Sequence, residues 1–253
     1  TVPIACYYDI AHNNNGDMYA LKGKNALGKK FTIPIQMDFN NRTAVNASYT
    51  TDFIIVATED NTNITISPKN ALIGRVGPFT IVLNRGETYV CSSASNLGSL
   101  KPGGTTVTSN KPIAISTKDD SIALPGQSCS DTAGDQLLPD DLAGNEFIVV
   151  KGYLNITPDH YYVYATSNAT TIKINGNNVG TINAGEYYTG KLTDVSCYIE
   201  SDKPTHVFHI TGFGCEVGGA VIPPIRCTGS TSVNVTRATA TEGFFLNVIA
   251  PAD

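Results

Sequence analysis

What this 253-residue chain lacks excludes several classes of function. Tryptophan is absent and charged residues are only 15% of the total, well below the roughly 25% usual in soluble domains. Lys and Arg number 17 against 22 Asp and Glu, and no basic tract exceeds the pair Lys29-Lys30. The chain therefore lacks the electrostatic footprint of a nucleic-acid or anionic-lipid binder. No run approaches the roughly 18 consecutive apolar residues of a membrane helix. The sequence opens at Thr1 without a charged and then apolar leader, so any signal peptide or lipid anchor is expected to be removed or to lie outside it. No stretch keeps a helical apolar period for three turns; the nearest, 132–142, is broken by Gly134 and Pro139. The six cysteines (Cys6, Cys91, Cys129, Cys197, Cys215 and Cys227) include no C-x-x-C pair, so zinc-ribbon and dithiol redox chemistry lack their spacing. No G-x-S-x-G elbow, H-E-x-x-H or catalytic Cys/His signature occurs. No catalytic or cofactor-binding residue is assigned, and the chain is not expected to be an enzyme.

Thr, Ser, Asn and Gly fill the place of the missing charge. With them come short β-branched or aromatic runs, such as Phe53-Ile54-Ile55-Val56, Ile64-Thr65-Ile66 and Phe79-Thr80-Ile81-Val82-Leu83. Turn clusters separate these runs, the pattern of antiparallel strands. An even number of scattered cysteines in such a chain fits an oxidising compartment. The pair Cys215–Cys227 is the expected disulfide, closing the Gly- and Pro-rich loop 216–226; the partners of the other four stay open.

The chain also repeats itself. Ala57-Thr58-Glu59-Asp60-Asn61-Thr62-Asn63-Ile64-Thr65-Ile66 matches Ala165-Thr166-Ser167-Asn168-Ala169-Thr170-Thr171-Ile172-Lys173-Ile174, 108 positions later. Leu83-Asn84-Arg85-Gly86-Glu87 matches Ile182-Asn183-Ala184-Gly185-Glu186 at 99. Ser109-Asn110-Lys111-Pro112 matches Ser201-Asp202-Lys203-Pro204 at 92, and Gly28–Phe31 matches Gly144–Phe147 at 116. Four blocks in one order with a falling offset read as a duplication whose loops are trimmed in the second copy. Asp60 and Asn168 suit turns because they accept backbone N–H bonds, Gly86 and Gly185 supply a positive φ, and Lys-Pro opens a strand. The expected fold is all-β: two duplicated antiparallel β-sandwich-like units, tandem or merged, with little helix. The divisions are an N-terminal segment 1–25, β unit 1 at 26–124, a connection at 125–139, β unit 2 at 140–213, and a disulfide loop with C-terminal strands at 214–253. Strand-like residues 233–235 and 244–249 either complete a sheet or, for 244–249, begin a further repeat.

These blocks, with Asp135-Gln136-Leu137-Leu138-Pro139 leading to Gly144-Asn145-Glu146-Phe147, resemble the domain named for IgGFc-binding protein, which also occurs in bacterial cell-surface proteins. The resemblance covers about residues 26–224. It implies an extracellular, non-enzymatic adhesion or binding module within a larger multidomain surface protein. The matched positions are scaffold, so no functional residue carries over.

Several local patterns invite chemistry. The segment 23–30 nearly spells a phosphate-binding loop but lacks the hydroxyl for Mg²⁺ and a preceding strand, so it reads as a turn. His206 and His209 lie three apart on a strand, on opposite faces, which suits packing or pairing rather than a shared metal. Glu59, Asp60 and Asn61 form a weak loop calcium candidate, with a solvated turn as the alternative; no other metal site or cofactor is expected. Carboxylates also cluster at Asp119-Asp120 and Asp140-Asp141. Glycosylation sequons fall at Asn41, Asn46, Asn63, Asn155, Asn168 and Asn234.

The function expected is recognition of a host or matrix protein, a mucin or a glycan through loops on a β scaffold. Loops 36–51, 67–78 and 92–105, and Tyr49, Tyr89, Tyr161, Tyr162, Tyr187 and Tyr188, are the contact candidates, although tyrosine in a strand more often packs. The alternatives are a structural spacer without a ligand and a glycan-active β-sandwich enzyme, which would need two carboxylates facing across a cleft.

Overall fold

The computed structural model describes residues 6–12, 15–44, 47–126, 129–155, 157–226, 229, 241 and 246–250. The strands, in chain order, are β1 (Cys6–His12), β2 (Asn15–Leu21), β3 (Gly28–Thr32), β4 (Thr43–Ala44), β5 (Ala47–Ser48), β6 (Thr51–Ala57), β7 (Thr62–Ser67), β8 (Phe79–Leu83), β9 (Thr88–Ser92), β10 (Thr106–Ala123) and β11 (Ser130–Gln136). They continue as β12 (Gly144–Val150), β13 (Tyr153–Leu154), β14 (Asp159–Ala165), β15 (Thr170–Ile174), β16 (Asn177–Ile182), β17 (Tyr187–Leu192), β18 (Ser196–Gly214) and β19 (Glu216–Ile222). Among the described residues helix is confined to three short 3₁₀ turns, Gly23–Ala26, Gly98–Leu100 and Asp140–Leu142. The segment 132–142, nearest to helical in sequence, is strand β11 followed by the last of these turns.

The fold is all-β and duplicated. One sheet runs β8-β7-β10-β6-β9 with β3 and β11 also on β10; the other runs β16-β15-β18-β14-β17 with β12, β13 and β19 also on β18. Strand for strand the two orders correspond. Alternation does the work within each strand: in β7, Thr62, Ile64 and Ile66 are buried while Asn63 and Thr65 face solvent. The two units are merged rather than separate. One apolar cluster contains Phe31, Phe53, Ile55, Ile64 and Ile66 of unit 1 together with Tyr162, Tyr164, Phe208 and Ile210 of unit 2. A second cluster, with Phe147, Val149, Val163, Ile172 and Ile199, belongs to unit 2.

The repeated motifs meet in one knot of hydrogen bonds, built twice. Asp60 Oδ1 accepts the N–H of Arg85, and Asn84 Oδ1 accepts the N–H of Asn61. Glu87 Oε2 accepts the N–H of Asn84, the Lys111 ammonium donates to the carbonyl of Asp60, and Thr58 donates to the carbonyl of Pro112. In unit 2, Asn168 Oδ1 accepts from Ala184 N, Asn183 Oδ1 from Ala169 N and Glu186 Oε2 from Asn183 N, while Lys203 and Thr166 donate to carbonyls of Asn168 and Pro204. The left-handed position falls at Asn61 (φ 53°) and Ala169 (φ 52°), one residue beyond the acceptor. The fourth motif has its own reason. A Cβ on Gly28 or on Gly144 would lie 2.2 Å from the Cβ of Pro139 or Pro224, so each unit's first strand receives the proline that follows its last.

The disulfide differs from the expected pairing. Cys215 is bonded to Cys129, 86 residues away, and Cys227 lies outside the described residues. Cys129 immediately precedes β11 and Cys215 precedes β19, so the bond joins equivalent points of the two repeats. Of the expected C-terminal strands, 233–235 and 244–245 also lie outside the described residues, and 246–250 carries no strand.

Two loops expected to be free surface, 36–51 and 92–105, are in part interior. Gln36, Asn41, Thr51 and Lys101 are buried, and a single carboxylate gathers them. Asp119 accepts from Lys101 Nζ at 2.7 and 2.6 Å, Gln36 Nε2 at 2.6 Å, Asn41 Nδ2 at 2.8 Å and Thr51 Oγ1 at 2.6 Å. Asp119 and Lys101 side chains are both fully buried. Burial pulls the Lys101 ammonium below its ordinary pKa, and Asp119 opposes the shift. Asn41, a sequon residue, is committed here and is no glycan site; Asn46 and Asn234 lie outside the described residues. Asp119→Ala leaves an unpaired buried ammonium, and the expected loss is about 3–5 kcal/mol in urea unfolding. Lys101→Met combined with Asp119→Leu should recover a substantial part of it; equal loss in both variants would show that the pair itself is not what matters.

Candidate functional site

Three equivalent connectors lie side by side and form a groove. They are the residues after β2, the residues between β11 and β12, and the residues after β19. The groove has a volume of about 900 Å³ and is lined by Ala20 to Lys22 and Asn25, by Leu138 and Asp141–Glu146, and by Pro223, Pro224 and Arg226. Its floor is apolar. Leu21, at the end of β2, and Leu142, in the connector after β11, are 39% and 42% exposed there. The charges at its rim are of both signs: Asp141 and Arg226 are exposed and Glu146 is half-buried. The Lys22 ammonium is held by Asp135 and by the carbonyl of Gln136, which pins the first connector to β11.

Hairpin β1–β2 supplies one wall, and its attachment depends on a carboxylate. Asp17 Oδ2 accepts the N–H of Gly134 at 2.6 Å on the open edge of β11. Burial pushes the Asp17 carboxyl up to about 7, with Asp135 and Asp131 adding to the rise and the N–H groups of Gly134 and Met18 opposing it. Asp131 does the same for β19: it accepts the N–H of Val217 at 2.8 Å, and its carboxyl rises to about 6, chiefly by burial.

The structure disperses the other residues singled out in sequence. The Asp60 carboxylate is used by Arg85 N–H and the adjacent carbonyl by the Lys111 ammonium, so a calcium at Glu59, Asp60 and Asn61 would meet a cation already in place. Among the described residues the grouping with metal-ligand geometry is Cys129, Cys215 and Glu216, whose two sulfurs are joined to each other. Tyr161 and Tyr162 are buried, Tyr49, Tyr89, Tyr187 and Tyr188 are partly so. Loop 67–78 does present a surface, with Ile73 64% and Val76 89% exposed. His206 and His209 go to opposite faces, His206 to Asp140 at 3.2 Å and His209 to Asp159 at 3.0 Å. Burial would raise both carboxyls, but these partners hold Asp140 and Asp159 below the ordinary value.

A smaller cleft of about 540 Å³ contains Asp38 and His160, 2.7 Å apart. Asp38, held low mainly by His160, also accepts from the hydroxyls of Tyr162 and Thr189. A carboxylate-oriented imidazole is half of a nucleophilic site, yet among the described residues no hydroxyl or thiol is hydrogen-bonded to His160. Asp38 is a tie from unit 1 to unit 2.

A family model described as IgGFc binding protein matches residues 17–253, nearly the whole chain. The chain belongs to the IgGFc-binding protein family. Comparison with curated proteins and with solved structures gives no match. Within this family member, the connectors that build the groove are the ones sequence reasoning passed over. Their signal was present: Leu138-Pro139 and Pro223-Pro224 punctuate the two repeats, and Leu142 is an apolar residue where a connector is ordinarily polar.

The pH response of the hairpin follows from the sign of the Asp17 shift. An aspartate with a folded-state pKa raised above its unfolded value binds its proton more tightly when folded, so stability is greatest at low pH and falls as pH rises toward 7. Amide exchange at Gly134, after correction for intrinsic rate, should therefore be more protected at pH 5 than at pH 8. Asp17→Asn should flatten that difference, and an unchanged pH dependence in the variant would assign the effect elsewhere.

Proposed function

We propose that this chain is an extracellular binding module that takes an extended segment of a partner protein into the groove between its three connectors. The observation that carries the reading is the combination of an accessible leucine floor at Leu21 and Leu142 with a rim of both charge signs, the arrangement of a peptide-recognition surface with an apolar centre and polar edge. Membership of a family named for binding immunoglobulin Fc supports a protein partner. The Cys129–Cys215 bond supports an oxidising, extracellular setting. Among the described residues no helix is long and apolar enough to cross a membrane. Mucin polypeptide and immunoglobulin are the partner classes to test first, with glycans as the competing class.

The experiment is a binding screen of the purified chain against immunoglobulins, mucins and glycan arrays, with calcium and with chelator. A saturable hit should weaken ~10-fold or more in Leu142→Glu, as expected when a central apolar contact is replaced by a charge. Val76→Glu, on the exposed loop away from the groove, should leave it unchanged. A hit insensitive to Leu142 but sensitive to Val76 would move the site to loop 67–78. Silence across all probes by the folded chain would favour the spacer reading.

A further inference from the structure

The outer face of unit 2 is covered by unit 1, and the counterpart face of unit 1 is only partly covered. Unit 1 lays its loop 33–39 and strand β11 over β14, β18 and β19. Tyr164 donates to the carbonyl of Ile35 at 2.7 Å, Tyr162 donates to Asp38 at 2.8 Å, and the rings of Phe39 and His160 stack with centroids 4.7 Å apart. Asp131 and Asp135 accept the edge N–H groups of Val217 and Val221. Tyr162 and Tyr164 are consequently fully buried. Their counterparts on β6, 108 positions earlier, are Ile54 and Val56, both partly exposed. Opposite Ile54 on β9 stands Val90, 51% exposed. An aliphatic sheet face is left open at the place where the other copy is sealed.

Half of the missing cover is already present. Hairpin β1–β2 stands to β11 as β11 stands to β19: Asp17 accepts the N–H of Gly134 as Asp135 accepts that of Val221. The hairpin is followed by a 3₁₀ turn, Gly23–Ala26, and then by β3 with its buried Phe31; β11 is followed by the 3₁₀ turn Asp140–Leu142 and by β12 with its buried Phe147. Gly16-Asp17 aligns with Gly134-Asp135 in this frame.

We infer that β1–β2 is the closing hairpin of a preceding unit of the same fold, and that the loop of that unit equivalent to 33–39 docks on Ile54, Val56 and Val90. The face specifies the chemistry of its occupant. Ile54 and Val56 offer no hydroxyl where Tyr162 and Tyr164 do, so a carboxylate placed like Asp38 would be desolvated without a donor. The docking loop therefore presents aliphatic side chains over this face. Units then add in one direction, each covering the outer face of the next, as in repeat proteins whose stability comes from neighbour interfaces.

The test compares the chain 1–253 with the natural protein extended upstream by one unit length, about a hundred residues. Val90→Cys, in a Cys6→Ser background, should react with a maleimide rapidly in the chain 1–253 and ~10-fold or more slowly in the extended protein, since protection requires local opening. Thr88→Cys, beside it on the same face, should follow the same pattern and serves if Val90→Cys fails to fold. Val76→Cys, on the open loop, should react alike in both. Equal reactivity at Val90 and Thr88 in the two proteins would overturn the inference, as would an upstream sequence without strand and turn blocks of this kind.

Discussion

The fully buried carboxylate of Asp119 is the constraint on which the joining of the two units depends. Removing an aspartate and a lysine from water is costly, and the cost is met only where every lone pair is filled. Here the four donors come from three separate segments: Gln36 and Asn41 from the loop after β3, Thr51 from the start of β6, and Lys101 from the loop before β10. Satisfying one anion therefore draws parts of two long loops into the interior. The first of them carries Ile35 and Asp38, whose carbonyl and carboxylate receive Tyr164 and Tyr162 of unit 2. The path from a local electrostatic requirement to the joining of the units is thus three contacts long.

Unit 2 keeps the same cross-strand pair with its partners exchanged. Thr51 and Asp119 correspond to Asp159 and Thr211, and the two are again hydrogen-bonded. With the acid moved to the other strand, its Oδ2 accepts the N–H of Gly152 and pairs with His209, its buried Oδ1 is left without a hydrogen bond, and no buried lysine is involved. A shorter loop suffices because fewer donors have to be brought in. The trimmed loops of the second copy and the swapped acid are two aspects of one change.

Much of the scaffold was legible in the sequence because its determinants are local. Thr58, Asp60, Asn84, Glu87 and Lys111 act within one hairpin-to-hairpin knot, so they recur with fixed spacing and give themselves away in unit 2. The interior loops were not legible, since Gln36 and Asn41 are buried by a carboxylate some eighty positions away and look like ordinary polar loop residues. The disulfide was misread for a related reason. Loop composition near Cys215 suggested Cys227, whereas the falling series of repeat offsets, 116, 108, 99 and 92, continues to 86, the separation of Cys129 and Cys215. That extension is hidden because β11 and β19 do not look alike: Asp131 and Asp135 stand where β19 has Val217 and Val221.

That unlikeness has a physical purpose. Two identical strands stacked in register would leave edge N–H groups of one facing apolar side chains of the other, or two pairs of carboxylates facing each other. Aspartates on β11 and valines on β19 resolve both problems, since each carboxylate reaches past the smaller neighbour to an N–H that has no strand partner. The same reasoning separates Tyr162 and Tyr164, which require polar cover, from Ile54 and Val56, which require apolar cover. Copies that began alike have diverged at the surfaces where they meet and stayed alike in the knots that hold each one together. The groove belongs to the diverged class. It is assembled from three connectors that come together only because the strands before them are stacked, so the surface proposed for recognition exists as a consequence of the stacking and not of either unit by itself.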